Sequence, residues 1–344
     1  VAHTFRIREI AQQAGLSEAT VDRVLHRRGG VRAGTVAEVE RAIEDLGRQR
    51  SQVRLGGRTF LLDVVLDSPA VFTSAVREAF EAELPRMRPA VLRCRFHFSD
   101  GAPAREQAAR LDEVLRKGSH GVVLIGPDSP EIVAAVRRLE HARIPVVTLA
   151  SDLPTSVRQG YVGLDNRAAG ATAAYLVQQW LGDRPDGVMI TRGDGTFRGE
   201  DDREMGFRST LRTLAPGRRL VEAVTRSGTA EQRRTQLLDT LRAHPDVTAV
   251  YSMYGSDANR TTLSVFAELG RRCTVFVGHD LDRVNVEMLL QGELSAVLHH
   301  DLQEDVRNAC LMVMQAQGAL PGRPRSAYSA VQVVTPWNLP PTDR

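Results

Sequence analysis

Residues 6–25 read RIREIAQQAGLSEATVDRVL, two short helical patterns parted by a glycine, a leucine and a serine. Ile7, Ile10, Ala11 and Ala14 fall at i, i+3, i+4 and i+7, the stripe of an amphipathic helix. Gly15 suits the left-handed residue that ends such a helix. Ser17 suits the N-cap of the next, because its hydroxyl can accept from an otherwise unpaired amide. Val21, Val24 and Leu25 form a second stripe, and Glu18, Ala19, Asp22, Arg23 and His26 make a continuous polar face opposite it. A third stripe follows at Val36, Val39, Ile43 and Leu46. Three short helices with a tight turn and an outward polar face predict a helix-turn-helix module. A three-helix cap on a larger domain is the alternative.

Charge favours the first reading. Residues 1–58 hold 11 arginines and 7 acidic residues, a net of about +4, while the whole chain is +3. The positive charge is thus gathered at the front, as phosphate contact requires. The choice of arginine itself carries no weight, because the chain has 44 arginines and one lysine, Lys117. No apolar run approaches the ~18 residues of a membrane helix, and no signal-peptide pattern precedes the first helix. Cys94, Cys273 and Cys310 are odd in number and far apart, which gives neither a disulfide framework nor a metal-ligand spacing. Cys94 and Cys273 are expected in the core. The expected location is the cytoplasm, with no membrane partner.

From Phe60 onward, apolar runs such as FLLDVVLDS, GVVLIGPDS, IPVVTLASD, GVMITRGDG and CTVFVGHD alternate with helical stretches. Val, Ile and Leu without strict alternation indicate parallel strands buried on both faces. The alternation with helices indicates crossover units. Nine or more strands predict two doubly wound α/β lobes behind a small all-α domain, with an eight-stranded barrel as the competing architecture. The expected division is 1–47 for the helix-turn-helix domain, 48–59 for a hinge or linker, and 60–344 for two lobes. Lobe 1 is placed at about 60–155 plus a return near 285–300. Lobe 2 is placed at about 160–282 plus the C-terminal segment. The helix-free stretch 151–160, which contains Pro154, is read as the first passage between lobes.

Many strand-like runs finish on an acid: Asp67, Asp100, Asp128, Asp152, Asp165, Asp194, Asp257 and Asp280. Ligands of parallel sheets collect at the carboxyl ends of strands, although Asp there is also the ordinary N-cap of the following helix. Carboxylates together with a guanidinium suit a polyhydroxylated ligand. Arg203, in RGEDDREMGF, could supply that guanidinium or could pair with Glu200, Asp201 or Asp202.

The sequence resembles the LacI/GalR family of bacterial transcriptional regulators over essentially its whole length. IREIAQQAGLSEATVDRVLHRRGGVRAGTVAEVERAIEDLG resembles the family headpiece. VGLDNRAAG resembles its Val-x-x-Asp-Asn-x-x-Ala-Gly segment, DREMGF its Arg-x-x-Gly-aromatic segment, and VFVGHD its Val-x-Gly-x-Asp strand end. The resemblance implies a periplasmic-binding-protein-like effector domain. It also implies a homodimer on a pseudopalindromic operator in double-stranded DNA, with effector binding changing lobe closure and headpiece spacing. It matches Glu18 and Ala19 to the first base-reading positions and Asp22 and Arg23 to the next turn, where Ser-Arg is usual. Ser17, Thr20, His26 and Arg32 complete the DNA-facing set. Arg23 could pair with guanine, and the carboxylates of Glu18 and Asp22 imply an unusual operator. Leu55 stands for the hinge leucine that enters the minor groove. Gly56-Gly57 weaken a helix there, and phosphate contact through Arg50, Arg54 and Arg58 is the alternative.

In the effector domain the resemblance assigns Arg203 to sugar hydroxyls, Asp280 to the ligand carboxylate and Asp128 to the acid of the first lobe. Ser256 and Asp257 stand where Asn-Asp is frequent. His300, or His299, stands where sugar-binding relatives have glutamine. Ser68 and Phe72 stand where relatives bond and stack a sugar, and Asp152 joins them as a strand-end acid. The reading is a transcriptional regulator, a repressor, controlled by a small ligand such as a sugar or polyol. A solute-binding protein of a sugar transporter is the alternative. Enzyme chemistry is not expected: there is no GxGxxG, GxxxxGK or GxSxG and no metal-ligand cluster, and no cofactor is implied.

Overall fold

The computed structural model describes residues 5–193, 197–224 and 229–340, without the side chains of residues 51, 52 and 54. Asp194 and the side chain of Arg54 lie outside the described residues. Three helices lead: α1 (Ile7–Ala14), α2 (Glu18–Leu25) and α3 (Ala33–Leu55). Gly15 takes the left-handed conformation (φ 67°) that ends α1, and the Ser17 hydroxyl accepts from Thr20 N at 3.2 Å to start α2. Ile10, Ala11, Val21, Val39 and Ala42 close a small core between them.

The third helix runs further than its apolar stripe suggests. It continues across the expected boundary at residue 47 and through the expected hinge to Leu55. Gly47 costs a helix only about 1 kcal/mol, and residues 48–55 hold no proline. Gly57 (φ 75°) then turns the chain into the first strand. Leu55 is buried, in the same apolar cluster as Phe60, Leu62 and Phe80. The leucine matched to the groove-entering hinge position is thus covered in this structure: an apolar side chain beside an open core is removed from water there. Arg50 and Arg58 lie over the rings of Phe5 and Phe60.

Two parallel sheets follow. The first contains β1 (Thr59–Asp67), β2 (Val91–Ser99), β3 (Gly121–Ile125), β4 (Val146–Leu149), β5 (Gly160–Leu164) and β11 (Ala327–Ser329), in the order β11-β5-β4-β3-β1-β2. The second contains β6 (Gly187–Arg192), β7 (Leu220–Val224), β8 (Val247–Ser252), β9 (Val275–His279), β10 (Ala296–His299) and β12 (Gln332–Val334), in the order β12-β10-β9-β8-β6-β7. Among the described residues, only β12 pairs antiparallel. Every residue of β3, β4, β5 and β9 is buried, as strands covered by helices on both faces must be. The helices are α4 (Ala70–Glu83), α5 (Ala104–Lys117) and α6 (Pro130–His141) around the first sheet. Around the second are α7 (Asn166–Leu181), α8 (Arg198–Leu214), α9 (Ala230–Ala243), α10 (Asp257–Glu268) and α11 (Arg283–Leu290). Helix α12 (Leu302–Ala316) packs on β4 and β5 of the first.

The lobe boundaries differ from those expected. Strand β5 pairs with β4 in the first sheet, Leu149 opposite Val162, so residues 151–160 stay within lobe 1 and the first passage lies at the start of α7. A parallel neighbour needs a crossover of about a dozen residues, and the helix-free loop nearly supplies that length. Strand β10 pairs with β9 in lobe 2, so the return to lobe 1 begins after His299 rather than within 285–300. The chain then gives β11 to lobe 1 and β12 to lobe 2. Both strand orders reverse direction at their first strand, β1 between β2 and β3, and β6 between β7 and β8. Such reversals open a crevice at the strands' carboxyl ends.

Candidate functional site

A cleft of about 470 Å³ lies where these carboxyl ends meet. Lobe 1 lines it with Asp67, Ser68, Phe72, Asp100 and Ser151. Lobe 2 lines it with Phe197, Arg203, Tyr254, Ser256, Asp257, Asp280 and Asp282, and His299 and His300 close it at the crossover. Seven of the nine expected ligand residues are therefore together: Ser68, Phe72, Arg203, Ser256, Asp257, Asp280 and His300.

Asp128 and Asp152 are not among the residues that line this cleft. Asp128 is exposed and accepts from Thr155 Oγ1 at 2.6 Å. Asp152 forms an ion pair with Arg158 and accepts from Thr148 Oγ1 at 2.8 Å. Each satisfies its own loop. Asp67 lines the cleft, yet one carboxylate oxygen already accepts from Ser99 Oγ (2.9 Å) and Ala102 N (3.1 Å). Asp165 serves as the N-cap of α7, accepting from Ala168 N.

Arg203 is held at two of its nitrogens. Its Nε donates to Asn166 Oδ1 at 2.7 Å, and Nη1 donates to Met253 O at 3.0 Å. The neighbouring acids are engaged elsewhere: Asp202 with Arg198, and Asp201 and Glu204 with Arg192. Nη2 therefore has no partner among the described residues, and this cleft-lining guanidinium keeps donor capacity. Asn166, which the sequence reading did not single out, is the bracket. Its amide also donates to Ala150 O (3.0 Å) and Tyr161 OH (3.2 Å), tying α7 to the end of β4. Gly199 N donates to Ser151 Oγ at 3.1 Å, a second tie between lobes. Beneath Arg203, α7 and α8 touch backbone to backbone. A Cβ on Gly170 would overlap the carbonyl oxygen of Arg203, and one on Gly206 that of Arg167.

Strain gathers at the same place. Among the described residues, five non-glycine residues have left-handed φ, and three of them, Ala150 (59°), Ser256 (60°) and Asp280 (65°), line the cleft. Such conformations cost on the order of 1–3 kcal/mol and persist where surrounding bonds fix them. At Asp280 such bonds come from Asn285, whose amide donates to the carbonyls of His279 (2.8 Å) and Asp280 (2.7 Å). The Asp280 carboxylate has no partner among the described residues. Ser256 Oγ donates to Asp282 at 2.8 Å, so that hydroxyl is bound to an acid the sequence reading did not single out.

Burial, then the neighbouring His300, lowers the pKa of His299 to about 4, which leaves its ring neutral at ordinary pH. Burial pushes the thiols of Cys94 and Cys273 up to about 12 and raises that of Cys310. Thiols held protonated this way are poor nucleophiles.

On the headpiece, Glu18, Ala19, Arg23, His26 and Arg32 are exposed. The side chains of Glu18 and Arg23 have no partner among the described residues. Ser17 and Thr20 bond each other across the start of α2 (2.8 Å). Asp22 is paired with Arg28 (3.0 Å) and with His26 Nδ1 (2.9 Å), so its charge is partly countered within the headpiece. Among the described residues, no helix is long and apolar enough to cross a membrane.

Two family models match the chain: bacterial regulatory proteins of the lacI family over residues 6–51, and the periplasmic binding protein domain over residues 64–320. The HTH-type transcriptional regulator MalR of Streptomyces coelicolor is 29% identical over 177 residues. That alignment covers 49% of each chain, so the match spans about half the length of that relative. The HTH-type transcriptional regulator reg1 of Streptomyces lividans is 27% identical over 282 residues, 80% of this chain and 72% of the relative. Among solved structures, GanP, a glucose-galactose binding protein from Geobacillus stearothermophilus, superposes with a TM-score of 0.70 at 22% identity. The superposition covers 82% of this chain and 99% of GanP, a likeness of fold. With its match over residues 64–320 the chain belongs to the periplasmic binding protein domain family, and the headpiece in front of that domain, residues 6–51, matches the bacterial regulatory proteins of the lacI family.

Proposed function

We propose that the protein is a transcriptional repressor that binds a pseudopalindromic operator as a homodimer. Its DNA affinity is set by a neutral, hydroxyl-rich ligand, a sugar or polyol, held between the lobes. The observation that carries the ligand half is Arg203. One guanidinium is braced by Asn166, the residue that also bonds the end of β4, while its remaining nitrogen and the Asp280 carboxylate are left for a ligand. A ligand bridging Arg203 and the lobe 1 residues Ser68 and Phe72 favours one relation of the lobes over others, which is what population shift requires. The coupling needed is roughly 1–3 kcal/mol.

The exposed face of α2 supports the DNA half. Arg23 can donate in bidentate fashion to guanine, while the exposed arginines of the headpiece meet phosphates. No reaction is assigned to the cleft. The reading is tested by a thermal-shift screen of sugars and polyols on the full chain, since a ligand that binds only the folded state raises the midpoint. Each stabilising compound is then added to the protein bound to a duplex selected from random sequence. A compound that stabilises the protein and alters its DNA affinity is expected. Sugar binding with no selective duplex binding would indicate a solute-binding protein instead.

A further inference from the structure

Asp22 lies on the polar face of α2, yet both oxygens of its carboxylate are taken from within the headpiece. Oδ1 accepts from Nδ1 of His26 at 2.9 Å, and Oδ2 accepts from Nη1 of Arg28 at 3.0 Å. His26 Nδ1 also faces the carbonyl oxygen of Asp22 at 3.0 Å. Both neighbours are acceptors, so that nitrogen is a donor. The two partners of the carboxylate straddle a turn. His26 is the C-cap of α2, the amide of Arg27 donates to Val24 O at 3.0 Å, and the amide of Arg28 donates to Arg23 O at 2.8 Å. These are the paired bonds of a Schellman ending, whose left-handed residue is usually glycine. Here it is Arg27, at φ 51°. Such a conformation is strained for any residue with a Cβ and persists where surrounding bonds fix it. The Asp22 carboxylate supplies such bonds, reaching His26 on one side of Arg27 and Arg28 on the other. Arg27 itself is exposed, and its guanidinium has no partner among the described residues.

We propose that Asp22 reads no base and is instead a positioning residue, which locks the turn after α2 so that Arg27 grips a backbone phosphate. The proposal rests on the DNA-binding reading of α2 and divides that face between reading and holding. Helix α2 has eight residues, a length of about 12 Å, which is about the width of a major groove. A helix whose first turn meets base edges therefore carries its last turn to the groove wall, where the phosphates stand. A guanidinium placed there makes charge-assisted bonds to phosphate oxygens. An arginine in the turn position where glycine is the unstrained choice is thereby given a use. Of the two carboxylates on the face, Glu18 is the one left to accept from cytosine.

Full-length native protein, Arg27→Gly, Asp22→Ala, Asp22→Asn and Arg27→Gly combined with Asp22→Ala are titrated with random-sequence and selected duplexes at several salt concentrations. Arg27→Gly puts the favoured residue in the left-handed turn, so its melting midpoint should equal or exceed the native one. It should nevertheless lose one phosphate contact. The slope of log affinity against log salt should flatten by about 0.9, so that the loss of affinity between about 50 and 200 mM salt is roughly three- to fourfold smaller. Asp22→Ala should flatten the slope equally and the combined variant no further, because both residues serve one contact. A native slope in Arg27→Gly overturns the proposal, and so does an Asp22→Ala protein with a lowered midpoint and a native slope, the mark of a purely structural role. Duplexes selected from random sequence by Asp22→Asn, which keeps the shape of the side chain, should show the native base preference at every position. A preference altered at one position makes Asp22 a base reader and also overturns the proposal. Slopes that change as stated on random duplex, with no sequence selected by the native protein, would end the operator reading and leave the Arg27 contact standing. Selective native binding with slopes indifferent to Arg27 would do the reverse.

Discussion

Replacing Gly170 by alanine tests how Arg203 is held. The new Cβ would fall far inside the 3.0 Å that real Cβ atoms keep from other heavy atoms, and the obstacle is the carbonyl oxygen of Arg203 itself. Backbone cannot rotate away as a side chain can, so α7 and α8 must part by about 1 Å. Ala169, Ala173, Ala174 and Val177 on α7 and Phe207 and Leu211 on α8 are all buried in one cluster, so the movement disturbs packing across lobe 2. Overpacking of this kind costs about 1–3 kcal/mol, and a backbone clash belongs at the upper end. At about 2–4 °C per kcal/mol for a domain of this size, the midpoint should fall by roughly 6–12 °C. The same movement stretches the 2.7 Å bond from Arg203 to Asn166, so stabilisation by a bound sugar should also shrink. Gly206→Ala, whose Cβ meets the carbonyl of Arg167, should behave alike. Gly34→Ala is the control: it lies in α3 with nothing near its Cβ, and it should leave stability unchanged or raise it by up to ~1 kcal/mol. Thermal denaturation with and without sugar reads all three. A Gly170→Ala protein with the native midpoint and the native sugar response would refute the reasoning.

Three further outcomes are expected. Arg23→Ala should cost about 1–3 kcal/mol of operator affinity and relax preference at one base position; competition binding against single-base operator variants reads this, and an unchanged profile opposes it. Asp280→Asn should remove most sugar stabilisation while Asp128→Asn leaves it intact, since only the first carboxylate lines the cleft; equal effects in a thermal-shift assay would contradict the geometry. Glu83 is buried between Arg307 (2.8 and 3.0 Å) and Arg86 (2.7 Å), and these guanidinium groups, Arg307 foremost, hold its carboxyl below the usual 4.5. A lowered folded-state value means that its stabilisation is complete above pH 4.5 and is lost as pH falls through the lowered value. Glu83→Gln should therefore be less stable than native by about 1–3 kcal/mol at pH 7, and denaturant titrations should show the gap closing in acid; a gap that widens in acid would reverse the argument.

The strands were legible because strands covered on both faces must be apolar throughout, and the runs beginning at Phe60 announce that. Their neighbours were not legible. Nothing in Tyr161, Val162 and Leu164 says that they pair with β4 rather than start a second lobe, and the helix-free loop before them suggested a passage. The length of α3 was hidden by Gly47, which weakens a helix without ending it. At the site, Arg203 and Asp280 stood out because an arginine motif and a strand-end acid combine charge with position. Asp128 and Asp152 carried the same signal and serve their own loops, because an aspartate after a strand finds local donors as readily as ligands. Asn166 gave no separate signal, since its role depends on α7 and α8 lying backbone to backbone. That approach is written in Gly170 and Gly206, which only the fold brings together.

We propose that one molecule couples a sugar cleft to a DNA-reading helix, and coupling is reciprocal. The most direct measurement is a closed cycle on the full chain: operator affinity with and without a saturating sugar, and sugar affinity with and without operator, at a fixed salt concentration. Each ligand is expected to change the other's affinity by the same factor, roughly 5- to 150-fold. Arg203→Ala should abolish the factor while sparing DNA binding. A sugar that binds the cleft and leaves operator affinity unchanged would contradict it.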